Sequence, residues 1–294
     1  MDDVHYHHVD VFTQSPFGGN SLAVFPHADG LSGSQMLTLT QELRHFESVF
    51  LEPLGGTDTF RARIFDLLEE LDFAGHPLMG AAAVLHSLTG DAQPHQWTFQ
   101  LAHKSAVVET GKTIGGYFAS LDQGRPDFLP STSNKCRLRL AAALNLEESD
   151  LSPRYPLEVV STGLRYLIVP MQRGLERARI VDREFATLLA SFGAQFAYAL
   201  DVHRMEGRHW NNDGLTEDVA TGSAAGTVGA YAVRHGLVAP EETFVLHQGR
   251  FTGRPSQMRV CASGSRAHVN RVVVGGHVAM VGQGAFHSLP KVRA

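Results

Sequence analysis

Glu47, His76 and Asp218 have the types and settings for moving a proton. Glu47 stands among apolar residues in Phe46-Glu-Ser-Val-Phe-Leu51. A carboxyl withdrawn from water is harder to ionise, which suits a group that takes up and returns a proton near neutrality. A solvent-facing strand position is the plain alternative. His76 and Asp218 lie in two related stretches, Asp72-Phe-Ala-Gly-His-Pro-Leu-Met-Gly80 and Asp218-Val-Ala-Thr-Gly-Ser-Ala-Ala-Gly226. Each leads from a turn of small and polar residues into a segment made almost wholly of Ala, Gly, Val, Leu and Met.

These turns have the composition of helix starts. A helix N-terminus carries unsatisfied N–H groups and partial positive charge, and glycine lets a ligand approach the backbone. Gly75 with His76, and Thr221 with Gly222 and Ser223, are therefore candidate anion sites suited to a small carboxylate. Pro77 is expected at the first helical position. There the dipole disfavours a charged imidazole, so His76 reads as a neutral proton carrier or donor, while Asp218 remains ionised and orients a partner. Each residue, taken singly, reads equally well as a cap or a packing residue. The duplicated turn favours the anion site.

The elements that must hold these residues follow from the pattern around them. Both apolar segments continue to a glycine, Gly90 and Gly236, and are too short to span a membrane, so they are expected as buried central helices. A shift of 146 positions, from Asp72 to Asp218, also aligns Ala74 with Ala220, Gly80 with Gly226 and Gly90 with Gly236. A weaker echo relates Gly19–Pro26 to Gly163–Pro170. An internal duplication is the better reading. Strands are expected at Val4–Phe12, Asn20–Phe25, Phe46–Leu51, Thr59–Phe65, Trp97–Val108 and Ile114–Leu121. In the second half they fall from Leu157, at Arg165–Val169, Gln195–Leu200, Thr243–His247, Gln257–Val260, Arg271–Val274 and His277–Val281. Further helices are expected from an N-cap at Ser34 to about His45, near Arg137–Leu144, and near Glu184–Ala190. Arg204–Gly214 reads as a polar segment ending in a turn. The Pro-rich Gly124–Pro130 is the expected linker. The resulting fold class is α/β: two pseudo-symmetric halves, residues 1–127 (completed by the C-terminal strand) and 128–294, each a sheet wrapped around a central helix.

Composition excludes several classes. At 43% hydrophobic and 19% charged residues the chain is an ordinary globular protein, and 294 residues suit two domains. A net charge of −5 with no basic stripe argues against nucleic acid. No apolar run of membrane-spanning length occurs, and the N-terminus lacks signal-peptide character, so a cytoplasmic location is expected. Cys136 and Cys261 are the two cysteines, too few for a disulfide framework or a cysteine zinc site. Sixteen histidines, with His5, His7 and His8 clustered, raise a metal site, but no third ligand falls at a helical spacing and no metal is expected. No Gly-x-Gly-x-x-Gly or P-loop is present, and no cofactor is expected.

At these residues the sequence resembles the phenazine biosynthesis PhzF family. The resemblance is carried by Val9-Asp-Val-Phe-Thr13 with Gly19-Asn20, Glu47–Leu51, Phe73-Ala-Gly-His-Pro77, Glu217-Asp-Val-Ala-Thr-Gly-Ser-Ala224, Gln248-Gly249 with Gly253–Ser256, and Val272-Val-Val-Gly-Gly276. It implies a diaminopimelate epimerase-like fold with the active site between the halves, and a cofactor-independent isomerase, commonly a homodimer. It implies dihydro-hydroxyanthranilate-type chemistry, in which a glutamate corresponding to Glu47 moves a proton between carbons, assisted by His76 and Asp218. Gly75, Gly222, Ser223 and Asn20 correspond to substrate contacts. Thiol-based racemisation is not expected, because Asn20-Ser21 and Thr221-Gly222-Ser223 carry no cysteine. Asp66-Leu67 and Arg208–Asp213 depart from the family pattern. The alternatives are an amino-acid epimerase or racemase using carboxylates in place of thiols, and a non-catalytic protein that keeps the cleft to bind a ligand or partner.

Overall fold

The computed structural model describes residues 3–129 and 136–291. By internal contacts the chain divides after Asp122 and again after Val274, so residues from Gly275 onward group with the first segment. The division falls five residues before the expected boundary at 127, because residues 123–128 are tied to the second unit. Gln123 Nε2 donates to Gly222 O at 2.9 Å, and Asp127 and Phe128 pair with Ser161 and Val160. The Pro-rich interval thus carries a strand in place of a loose linker; Pro130 lies outside the described residues.

The first unit contains β1 (Val4–Val11), β2 (Asn20–Phe25), α1 (Gly33–Leu43), β3 (Glu47–Pro53), β4 (Thr59–Asp66), β5 (Glu70–Leu71), α2 (Gly75–Thr89), β6 (His95–Gln100), β7 (Ser105–Thr113) and β8 (Gly116–Gly124, which crosses the division). The expected strand 97–108 is a hairpin, since Leu101 N bonds Lys104 O at 2.9 Å. β1 runs antiparallel to β2, β2 parallel to β3, β3 antiparallel to β4, and β4 parallel to β6; β6, β7 and β8 form a meander. The C-terminal strand flanks β1 antiparallel from Val278 to Phe286 and also pairs with β8, which closes the course of strands.

α2 lies inside that course and is buried from Gly75 to His86. Its small residues let the strands come close: a methyl on Gly80 would run into Leu22, and one on Gly75 would sit 3.4 Å from Leu121 Cδ2. Pro77 is the third helical residue, not the first, because the helix begins at Gly75 after Ala74. Its missing N–H still falls among those a helix start leaves unbonded. On the other face, α1 covers a second core in which Phe25 and Phe50 stack at 4.4 Å. α1 is capped by Ser32 and not Ser34. Ser32 Oγ accepts from Gln35 N at 3.3 Å, while Ser32 N donates to Gln35 Oε1 at 3.0 Å, a capping box that fixes the start two residues earlier.

The second unit contains β9 (Asp127–Phe128), α3 (Arg137–Ala143), β10 (Glu158–Ser161), β11 (Arg165–Met171), α4 (Phe185–Ser191), β12 (Phe196–Asp201), β13 (Glu206–Trp210), β14 (Glu217–Asp218), α5 (Gly222–Arg234), β15 (Thr243–Gln248), β16 (Ser256–Gly264) and β17 (Val269–Phe286). β17 is one strand where two were expected, and beyond Val274 it is the strand that completes the first unit. From β10 onward, element order and pairing repeat those of the first unit from β1: antiparallel β10/β11, parallel β11/β12, antiparallel β12/β13 and β13/β14, parallel β13/β15, antiparallel β15/β16. α5 occupies the place of α2, and a methyl on Gly229 would strike Val260.

β13 is the element that polarity concealed. All five residues of Glu206-Gly-Arg-His-Trp210 are buried and form a strand, inside a segment that reads from sequence as polar and ending in a turn. Each charge has a partner, as burial of a charge requires. Glu206 pairs with Arg250 at 2.8 and 2.9 Å, and Arg208 with Glu217 at 2.8 and 2.6 Å.

Candidate active site

Glu47 opens β3, opposite Asp66 on one side and beside Leu22 on the other. Its Oε2 lies 3.4 Å from His76 Nε2, with the Glu47 side chain 19% exposed and that of His76 8%. Two titratable groups are thus paired within the first unit, with Gly75 preceding His76 at the start of α2. The helix begins without a side-chain cap, because Ala74 has none to offer. Asn20 is buried at the first position of β2, opposite Val11.

In the second unit the turn before α5 is held by its own side chains. Asp218 Oδ2 accepts from Thr221 Oγ1 at 2.6 Å, and Oδ1 from Ala220 N at 3.4 Å. Thr221, the N-cap, makes no side-chain bond to the helix, so α5 also begins uncapped. Gln248 fixes the turn from β15. Its Oε1 accepts from Thr221 N (3.2 Å) and Tyr198 Oη (3.0 Å), and its Nε2 donates to Asp218 O (2.9 Å) and Thr221 Oγ1 (3.0 Å). Gly249 follows at φ +82, where a side chain would also meet Val219 O and Arg254 O. Gly222 O is held by Gln123, and Ser223 Oγ lies 2.8 Å from Tyr166 Oη.

One face of β11, β12 and β13 looks onto this helix start. Tyr166 stacks at an edge on His209, with 5.5 Å between ring centroids, and Phe196 does the same from β12. His209 stands directly opposite Asp218 in the β13/β14 register. Its Nδ1 lies 3.0 Å from Ala197 O, an acceptor only, so Nδ1 carries the hydrogen and Nε2 the lone pair of the neutral ring. Burial holds the imidazole below its ordinary pKa, against the opposing pull of Asp218 and the Ala197 carbonyl.

Within their own units, then, Glu47 meets His76, and Asp218 shares the α5 start with Gly222 and Ser223. Gln248, Tyr166, Tyr198 and His209 join this group, and residue type and spacing alone do not single them out. Tyr166 lay in the repeated Gly163–Pro170 segment, and Gln248 in a short motif whose role composition does not reveal. The histidine cluster is divided among other partners: His8 Nε2 lies 2.9 Å from Ser21 Oγ, which in turn lies 2.7 Å from His45 Nδ1. Among the described residues no three His, Cys, Asp or Glu are grouped to hold a metal ion.

A twice-repeated unit wrapped on an apolar helix, with polar chemistry at the helix starts, is the diaminopimelate epimerase-like fold. The model for the phenazine biosynthesis-like proteins, PhzC-PhzF, matches residues 9–284, and the chain belongs to that family. It is 31% identical to the trans-2,3-dihydro-3-hydroxyanthranilate isomerase of Pseudomonas chlororaphis, over 96% of this chain and 99% of that one. It is also 31% identical to the uncharacterized isomerase YddE of Salmonella typhimurium, over 96% of each. A solved structure described as a predicted epimerase, PA4716 from Pseudomonas aeruginosa, shares 46% identity and a TM-score of 0.90, covering 97% of this chain and 99% of that one. The chain is accordingly an isomerase, and its substrate is a small molecule. Among the described residues no helix is long and apolar enough to cross a membrane.

Proposed function

We propose that the chain shifts a proton within a small cyclic or amino-acid-like carboxylate, with Glu47 as the acid/base. The supporting observation is the 3.4 Å contact between Glu47 Oε2 and His76 Nε2 at a helix start. The Glu47 carboxylate takes a proton from a substrate carbon, and the C–H electron pair enters the adjacent π system. A double bond migrates, and Glu47 returns the proton to a second carbon, so nothing else is consumed. His76 orients the carboxyl and shares its proton. Asp218 is the second assisting group. Gly75, Gly222, Ser223 and Asn20 contact the substrate, the uncapped helix starts receiving its carboxylate.

Dihydro-hydroxyanthranilate, named in the Pseudomonas chlororaphis enzyme, is the first compound to test. Incubation in deuterated water is expected to give isomer carrying deuterium at the new position, with turnover lost in Glu47→Gln. Equal turnover by the two proteins removes the role given to Glu47. The reading also carries a homodimer in the cytoplasm, checked by sedimentation and cell fractionation, with each half a domain of its own.

A second reading, epimerisation of an amino acid by carboxylates, draws support from the description of the 46% identical structure. Chiral chromatography of an amino-acid panel separates the two. Cys136 and Cys261 take no part in either: Cys136 precedes α3, and Cys261 Sγ points to Glu241 O at 3.6 Å.

A further inference from the structure

The α5 start offers a carboxylate its N–H groups and, beside them, an acceptor that the proton-transfer chemistry does not use. We propose that His209 is a specificity residue, whose Nε2 accepts a hydrogen from an amine or hydroxyl carried next to the substrate carboxylate. This rests on reading the α5 start as the carboxylate site.

His209 is 5% exposed, and its ring is fixed from three sides. Ala197 O takes Nδ1–H, Phe196 abuts it edge-on at 5.5 Å, and Tyr166 does so at the same distance. Tyr166 in turn reaches Ser223 Oγ, the second residue of α5, so one aromatic side chain spans from the imidazole to the helix start. Asp218 shares the face with His209 by direct cross-strand register, where Cβ atoms lie about 5 Å apart. Nε2 makes no hydrogen bond among the described residues, although a packing histidine this buried ordinarily satisfies both nitrogens. Asp218 spends Oδ2 on Thr221 and Oδ1 on Ala220, which leaves the imidazole as the acceptor on this wall not engaged by the turn.

The arrangement selects by chemistry. The helix start supplies donors and favours negative charge; His209 supplies a neutral lone pair. A carboxylate with a neighbouring N–H or O–H satisfies both, whereas a bare carboxylate leaves Nε2 desolvated and unbonded, at a cost of one buried hydrogen bond. A methyl or halogen beside the carboxylate is rejected for the same reason.

The test is calorimetric binding of benzoate, 2-aminobenzoate and 2-hydroxybenzoate to the wild-type chain, His209→Met and His209→Gln. Wild type is expected to bind the amino and hydroxy compounds roughly tenfold tighter than benzoate. The ratio of the two substituted compounds tells which donor the ring prefers. Met fills the volume without a lone pair and should bring all three affinities together, the substituted compounds losing their partner and benzoate no longer leaving Nε2 unbonded. Gln can donate to Ala197 O through its amide and accept through Oε1, and should restore the preference. Thermal unfolding establishes that both variants fold. An undiminished preference in His209→Met overturns the assignment while leaving the carboxylate reading in place. Failure of wild type to bind any of the three overturns both. The turnover test on Glu47 is independent of either result.

Discussion

Arg208 Nε lies 2.8 Å from Glu217 Oε1 and its Nη2 2.6 Å from Oε2, a bidentate pair with both side chains largely buried. Nη1 of the same guanidinium donates to the carbonyls of Leu175, Glu176 and Ala178. The plane is closed by Trp210 and Phe251, whose ring centroids lie 4.7 and 4.3 Å from Cζ. This clamp holds β14 against β13 and so sets where Asp218, the next residue, stands. Arg208→Met removes it, stranding a buried carboxylate and three carbonyls. A loss of about 3 kcal/mol in urea unfolding is expected, with Arg208→Lys recovering little because an ammonium cannot reproduce the fork.

The Glu47 contact with His76 predicts a division of labour. Glu47→Gln keeps shape and removes the carboxylate that takes up the proton, and should lower kcat by about 10³-fold with the melting temperature unchanged. His76→Asn should lower it less, by about tenfold to a hundredfold, and narrow the pH range of activity. Steady-state kinetics from pH 5 to 9 reads both.

Gly249 sits at φ +82 with Val219 O 2.6 Å from where a methyl would be. Gly249→Ala therefore strains the backbone and forces two carbonyls apart. The expected loss is about 3 kcal/mol in denaturant midpoint analysis, together with weakened carboxylate binding, since Val219 leads directly into the α5 start.

Stability should fall in two acid steps. His86 and His209 are held below the ordinary histidine range chiefly by burial, with His95 adding to the effect at His86. A base with a lowered folded pKa stays neutral in the fold while the unfolded chain takes up the proton. Their contribution is therefore whole above pH 6.5 and declines as pH drops toward the folded values. The second step belongs to Asp150 and Glu206. Burial opposes ionisation of Asp150, but the Glu147 N–H, Arg177 and Arg173 outweigh it; at Glu206 the bond from Arg250 outweighs burial. Both carboxyls lie below their usual range, so their contribution persists above about pH 4 and disappears as pH falls through the folded values. Urea midpoints measured from pH 8 to 3 should show both declines, with the first reduced in His86→Phe.

Much of this was legible because two periodicities are strong. Ala and Gly in place of surface charge marked α2 and α5 as central, and the recurrence of Asp-x-Ala with two aligned glycines marked the duplication. Glu47 was legible as a lone carboxyl in an apolar strand. What remained hidden was hidden by compensation. Glu206, Arg208 and His209 look like residues of a polar turn until Arg250, Glu217 and the Ala197 carbonyl, 44, 9 and 12 positions away, are brought to them by the fold. Ser34 resembled a cap as well as Ser32 did, and only the reciprocal bond with Gln35 separates them. The hairpin at 101–104 was masked by the apolar content on either side.

The pairing of β1 with residues 278–286 has a consequence for synthesis. The second unit is continuous in the chain from Gln123 to Val274, whereas the first waits for its last strand. On the ribosome the usual order is inverted: the first unit stays open, its strand edge and apolar helix in need of protection, until the whole second unit and then residues 278–286 have been translated.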